Sequence, residues 1–295
     1  MIILKKVIIQ LLGGVSLTIT LKDVYSVDEI NNLDFSTLVS VVREPNMCSG
    51  GIETLRIIIK ESNLRHDAKI LEIGSNTGFS SIEFASTLPH SEVTGIDINQ
   101  QSIDFSIQKA KDHGLENVKF IKSSALQLPF EDNSFDMVFC SNVTSFINDR
   151  EEAISEYLRV LKPNGILAAV PIFYREIPPF NIKQAVENAI SAKIDVWDKN
   201  YWKSLFEKRG LKEYYSKDYR YIESNSHEID SYIDMVMSQE HLFYINTKVK
   251  KSMEERLRFF YELFDKNLTY CGFSILLYRY KAFNSEPILH KSCSM

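Results

Sequence analysis

Two carboxylates and two glycines are the residues whose types and spacing first suggest chemistry. The stretch ILEIGSNTG (70–78) carries an apolar run into Glu72 and then through a turn bounded by Gly74 and Gly78. Asp97 follows 19 residues after Gly78, at the end of a second apolar run, EVTGIDI (92–98). A carboxylate at that place in an α/β protein accepts both hydroxyls of a ribose. Glycines in the first strand-to-helix turn let the backbone lie close against a ligand, because no Cβ intervenes. The pattern therefore points to a ligand with a nucleoside half.

The charge of Glu72 narrows the choice. A pyrophosphate favours bare N–H groups at a helix N-terminus, and Glu72 beside them would repel it. The turn also departs from G-x-G-x-x-G, with Asn76 at the middle glycine position and Phe79 near the last. A dinucleotide cofactor is thus disfavoured and a cationic nucleoside favoured. S-adenosylmethionine has that character, with an α-ammonium and a sulfonium. Glu72 would pair with the ammonium, directly or through water, and Gly74, Ser75, Asn76 and Gly78 would line its backbone side. Asp97 would hold the ribose and Ile98 would cover one face of the adenine. Ser124, Ala125 and Leu126 would run along the adenine edge, and Ser141 and Asn142 would close the fourth strand beside the reactive centre.

These residues need a scaffold, and the sequence supplies one. Apolar runs at 68–74, 92–98, 118–124, 135–142 and 166–173 read as strands. Helical segments at 79–88, 100–114 and 150–161 fill three of the four intervals between them, and KPNG (162–165) reads as a turn. Strands alternating with helices imply βαβ units and a mainly parallel sheet. Runs this apolar suit a sheet covered on both faces. Upstream, Gly13-Gly14 between two β-rich runs reads as a hairpin, and SVDE (26–29) has the capping-box form that opens a helix. A helix at 52–64 follows the break at PNMCSGG (45–51). Downstream, helices are expected at 181–194 and 199–209, a strand at 211–221, helical structure at 227–268 and a last strand at 269–281.

Composition limits the function classes. The 295 residues are 44% hydrophobic and 25% charged, with a net charge of -5, which suits a globular protein without the basic footprint of a nucleic-acid binder. Cys48, Cys140, Cys271 and Cys293 show no C-x-x-C spacing, so neither a zinc site nor a disulfide framework is expected. No run approaches the ~18 apolar residues of a membrane span. A cytoplasmic protein without a metal is the expectation.

Taken together, ILEIGSNTG, GIDI, SSALQLPFEDNSFDMVFCSN and EYLRVLKPNGILAAV resemble the class I S-adenosylmethionine-dependent methyltransferases, over roughly residues 68–172. The resemblance implies a doubly wound, Rossmann-like α/β fold with an antiparallel last strand, and methyl transfer that leaves S-adenosylhomocysteine. CSGGIETLRIII (48–59) is similar to the N-terminal element of the phosphoethanolamine methyltransferase group, which implies that Ser49 meets the methionine carboxylate. Two departures stand out. Ser124 occupies a position where the family often has an acid, and Asn46 stands where that group has a tyrosine. Its catalytic Tyr–His pair is not evident, so its substrate is not carried over. FCSN (139–142) lacks the acid expected of a magnesium-dependent catechol-type enzyme.

The expected division is an N-terminal hairpin and helical cap (1–67), a cofactor-binding core (68–222), a helical insertion (223–268) and a last core strand with a tail (269–295). The insertion is the candidate lid over a small-molecule acceptor; Asn142 either faces that acceptor or is a strand-end turn residue, and Tyr174 stands either near its mouth or, the favoured reading, as a partly exposed packing residue. The aromatic run LRFFYELF (257–264) is read as core or as a homodimer contact. A small-molecule methyltransferase, in secondary metabolism, is the leading expectation. A non-catalytic S-adenosylmethionine-binding partner subunit and a protein or RNA methyltransferase are the alternatives.

Overall fold

The structure, a computed structural model, describes residues 25–280, so the expected hairpin around Gly13-Gly14 lies outside the described residues. Eight strands form one sheet: β1 (Lys69–Ile73), β2 (Glu92–Asp97), β3 (Val118–Lys122), β4 (Phe135–Ser141), β5 (Leu161–Val170), β6 (Ile172–Tyr174), β7 (Leu211–Arg220) and β8 (Cys271–Tyr280). Five of them run parallel in the order β3-β2-β1-β4-β5. β8 then pairs antiparallel with β5, and β7 pairs antiparallel with β8 along its whole length. β6 continues β5 beyond Pro171 on the same edge of β8. This is the mixed sheet with an antiparallel last strand that the sequence leads one to expect.

Alternation along the strands explains why both sheet faces are covered. Leu71, Ile73, Val138, Cys140, Leu167 and Ala169 point to one face. There they meet α6 (Arg150–Val160) through Ile154 and Tyr157, and α8 (Lys199–Glu207) through Trp202 and Phe206. Ile70, Met137, Phe139, Ile166 and Ala168 point to the other, against α3 (Gly51–Ser62) and α4 (Phe79–Thr87). A period of two with both residue sets apolar leaves no solvent face. α5 (Gln100–Asp112) completes that second layer through Ile103 against Phe120. It ends before Gly114, whose φ of 65° suits a residue just past a helix end.

The KPNG segment is both turn and strand. Asn164 has a φ of 62°, and the register with β4 slips between Phe135↔Leu161 and Met137↔Ile166. The turn thus bulges out of β5 and does not precede it.

A separate apolar core lies in the helices. α1 (Val27–Asn31), opened by the Ser26–Glu29 capping box, and α2 (Phe35–Val42) pack with α9 (Ser226–Met237) and α10 (Thr247–Leu268). Ile30, Leu38, Val236, Met253, Leu257 and Phe260 form its centre. α7 (Phe180–Ile190) contributes Ala189 to this core, although the expected division placed its residues within the 68–222 unit. The N-terminal helices and the insertion therefore form one cap. Among the described residues, no helix is long and apolar enough to cross a membrane.

Candidate functional site

The C-terminal ends of β1, β2, β3 and β4 bring most of the expected residues to one edge of the sheet. β1 runs into Gly74 (φ 72°), and Gly78 (φ 80°) opens α4. Ser75 N–H donates to the Ile96 carbonyl at 2.8 Å, which seats the turn on β2. A Cβ at Gly78 would meet Ser106 and Phe120 within about 3 Å, so the turn is packed tightly from behind. Ser106 Oγ also donates to the Asn76 carbonyl at 2.9 Å.

Asp97 is fixed by backbone. Its Oδ2 accepts the Asn76 N–H at 3.0 Å and its Oδ1 accepts the Asn99 N–H at 2.8 Å. Each carboxylate oxygen retains a lone pair. Ile98, the next residue, is 72% exposed, and Leu126 beyond β3 is 40% exposed. Ser124 lies in the same exposed turn, where its Oγ accepts the Leu126 N–H at 3.2 Å, and Ala125 is half-buried. A flat apolar ring placed on this edge would cover side chains that otherwise stand in water. Ser75 Oγ is buried without a hydrogen-bond partner. A fixed carboxylate beside open apolar side chains is an arrangement that could take a sugar and a flat ring.

The other half of the site is closed. Glu72 is 4% exposed, and Ser81 Oγ donates to its Oε2 at 2.5 Å. Burial pushes its carboxyl up to about 7, partly opposed by the hydroxyls of Ser81 and Ser80. Glu72 thus ties β1 to the first turn of α4 and is only partly charged at neutral pH. A cation nearby would restore the charge. The Cys48 thiol, buried close to Glu72, is pushed up to about 12 by burial, so it is no thiolate nucleophile.

The strap of residues 43–51 lies over the glycine turn. Thr77 Oγ1 donates to the carbonyls of Glu44 (3.0 Å) and Pro45 (2.9 Å). Ser49 Oγ shares a 2.6 Å hydrogen bond with the Tyr221 hydroxyl, so the hydroxyl implied for the methionine carboxylate is already engaged. Val143 covers Gly74 so closely that a Cβ there would lie 2.5 Å from it. Ser141 is half-buried at the end of β4. Asn142 (φ 51°) accepts from Ser145 Oγ at 2.8 Å and caps the turn that carries Val143.

Tyr174 does not open on a mouth. It is 9% exposed, and its hydroxyl donates to Asn267 Oδ1 at 3.2 Å, joining β6 to α10. Burial and the α10 contact place it between core and cap, away from the solvent-facing rim. Thr77, Val143 and Tyr221 were not singled out from sequence. Each acts through a contact with a distant segment, for which a single chain carries no periodic signal.

A fold of this topology with this edge defines a class. Residues 64–210 match the family described as a methyltransferase domain. This stretch of the chain belongs to that family, and it has the class I, Rossmann-like architecture. The uncharacterized methyltransferase YcgJ of Bacillus subtilis is 30% identical over 148 residues, covering 50% of this chain and 57% of that protein. The ubiquinone/menaquinone biosynthesis C-methyltransferase UbiE of Stutzerimonas stutzeri is 38% identical over 126 residues, covering 41% and 49%. The chain thus spans about half the length of these relatives. Among solved structures, the MccD protein superposes with a TM-score of 0.68 at 24% identity, covering 80% of this chain and 100% of that one. Phosphoethanolamine N-methyltransferase 2 of Haemonchus contortus, solved with phosphomonomethylethanolamine and S-adenosylhomocysteine, gives 0.62 at 14%, covering 88% and 59%. At these identities the structural matches establish the fold.

Proposed function

We propose that the protein is a S-adenosylmethionine-dependent methyltransferase acting on a small-molecule acceptor. The observation that carries this reading is Asp97, held by two backbone N–H groups beside an exposed Ile98. In this reading Asp97 binds both ribose hydroxyls, and Ile98 and Leu126 sandwich or flank the adenine. Ser124 accepts from the adenine amino group, more weakly than an acid would. Ser75 Oγ gains the partner it lacks. Glu72, in its charged form, faces the ammonium, and Ser49, released from Tyr221, meets the methionine carboxylate. The cofactor supplies a methyl group activated on a sulfonium, with a neutral thioether as leaving group. The chain itself orients the acceptor, holds it in line and excludes water. The cap formed by α1, α2, α7, α9 and α10 supports a small acceptor, and so does the absence of a basic footprint in the sequence.

A second reading is favoured by the closure at Gly74 and Ser49: a S-adenosylmethionine-binding partner subunit without turnover. Photocrosslinking with methyl-labelled S-adenosylmethionine tests what the two share. Label on the wild type that is lost in Asp97→Ala supports the site; equal labelling of both removes it. Transfer of label to a compound in a metabolite extract then separates enzyme from partner.

A further inference from the structure

Glu44 stands where the chain passes from the cap to the core, and its two ends are bonded to different parts of the molecule. Its carbonyl accepts the Thr77 hydroxyl at 3.0 Å, and Thr77 also holds the Pro45 carbonyl at 2.9 Å. Thr77 is buried in the glycine turn, next to Asn76, whose N–H donates to Asp97 at 3.0 Å. The side chain of Glu44 reaches the other way. Its Oε1 accepts the Tyr232 hydroxyl of α9 at 2.8 Å, and the Tyr261 hydroxyl of α10 is hydrogen-bonded to the same carboxylate. Glu44 is 6% exposed, so these bonds are shielded from water and costly to break. Asp97, Asn76, Thr77, Glu44 and Tyr232 thus form an unbroken series from the sheet edge to the cap. The strap is pinned around this series. Arg43 (φ 54°) and Asn46 (φ 40°) flank Glu44 in left-handed conformations. Gln239 Nε2, just beyond α9, donates to the carbonyls of Val42 (2.7 Å) and Arg43 (3.2 Å). The Arg43 guanidinium lies 5.2 Å from the ring centre of Phe105 on α5. Another tie between core and cap, Tyr174 to Asn267, lies on the far side of β4 from the glycine turn.

We propose that Glu44 is a positioning residue that couples cofactor occupancy of the sheet edge to closure of the cap. This rests on the methyltransferase reading above. A nucleoside held on Asp97 fixes the glycine turn, and with it Thr77 and the Glu44 carbonyl. A strap fixed at that point holds the Glu44 carboxylate against Tyr232 and Tyr261, so α9 and α10 open less often. The order that follows is cofactor first: a loaded edge closes the cap and keeps water from the reacting groups. Such coupling needs no change of mean structure, because a segment already ordered by one contact gives up less freedom to the next. It is also reciprocal. The factor by which the ligand favours closure is the factor by which closure strengthens ligand binding. Glu44 therefore contributes to cofactor affinity through Thr77, although its carboxylate is bonded to the cap helices.

The test is hydrogen exchange of the full chain, followed by mass spectrometry, with and without saturating S-adenosylhomocysteine. In the wild type the ligand should slow exchange about tenfold in the glycine turn and about fivefold in α9 and α10. In Glu44→Leu the slowing at the turn should remain, while that in α9 and α10 should fall below about twofold. Glu44→Gln still accepts the Tyr232 hydroxyl and should restore most of the effect. Tyr232→Phe keeps the ring and should lose about half of it, and it carries the comparison alone if Glu44→Leu does not fold. By reciprocity, calorimetry should show S-adenosylhomocysteine bound about fivefold more weakly by Glu44→Leu than by the wild type. A protected turn with no slowing of α9 and α10 in the wild type, or equal slowing there in the wild type and the Leu and Phe variants, overturns the proposal. A wild type that fails to bind S-adenosylhomocysteine removes the cofactor reading instead, and this inference with it.

Discussion

The two ends of the site are built differently. At one end, Asp97 closes β2, Ile98 and Leu126 sit on the loops that leave the adjacent parallel strands β2 and β3, and two N–H groups near in sequence or space fix the carboxylate. That end is open to solvent. At the methionine end, Glu72, Ser49 and Gly74 are covered by Ser81, Tyr221, Val143 and the strap. The first surface is set by the sheet; the second is covered by the strap that joins α2 to the core and by core side chains on α4, after β4 and after β7. A ligand would therefore dock by its nucleoside and complete its site by displacing side-chain contacts at the other end.

Mutations at the two ends should separate these behaviours. Asp97→Ala should lower affinity for S-adenosylmethionine and S-adenosylhomocysteine about a hundredfold, since two charge-assisted hydrogen bonds are lost. Calorimetry with circular dichroism as a folding control checks it; an effect under about threefold would remove the ribose assignment.

Glu72 gives a pH-dependent effect next in size. Its carboxyl is raised from 4.5 to about 7 in the folded state, so the folded protein binds a proton that the unfolded chain has released. Stability from this group is therefore lost as pH rises between those values and is not regained above them. Glu72→Gln should be about 2 kcal/mol more stable than wild type at pH 8 and little different at pH 4. Urea melts at the two pH values decide it. In the wild type at pH 7, an ammonium arriving beside Glu72 should expel its proton. That proton would appear as a dependence of binding enthalpy on buffer ionisation. No such dependence would place the ammonium elsewhere.

Ile98→Ala should cost about five- to tenfold in cofactor affinity, because less of the adenine face is covered. Tyr221→Phe should tighten binding about twofold, as Ser49 no longer has to leave its partner. Loss of affinity in that variant would show that the Ser49–Tyr221 pair helps hold the ligand.

The open end was readable in the sequence and the closed end was not. Apolar runs ending at Glu72 and Asp97 located the strands, the turn and both carboxylates, because strand alternation and turn chemistry act over a few residues; what covers Glu72 was not legible. Ser49 against Tyr221 spans 172 positions and Tyr232 against Glu44 spans 188. Such pairs depend on how the cap docks, which local pattern does not encode. Tyr174 is a different case: its place after the fifth strand allows a mouth or, more readily, a packing role, and its contact with Asn267 of α10 agrees with packing. KPNG shows that a correct turn residue, Asn164, can sit inside a strand as a bulge.

The central claim is that this edge of the sheet binds S-adenosylmethionine. Calorimetric titration of the purified protein with S-adenosylmethionine, S-adenosylhomocysteine and NAD tests it directly. The account predicts Kd values on the order of micromolar for the two sulfur ligands and no binding of NAD. Binding of NAD, or of neither sulfur ligand, would contradict it.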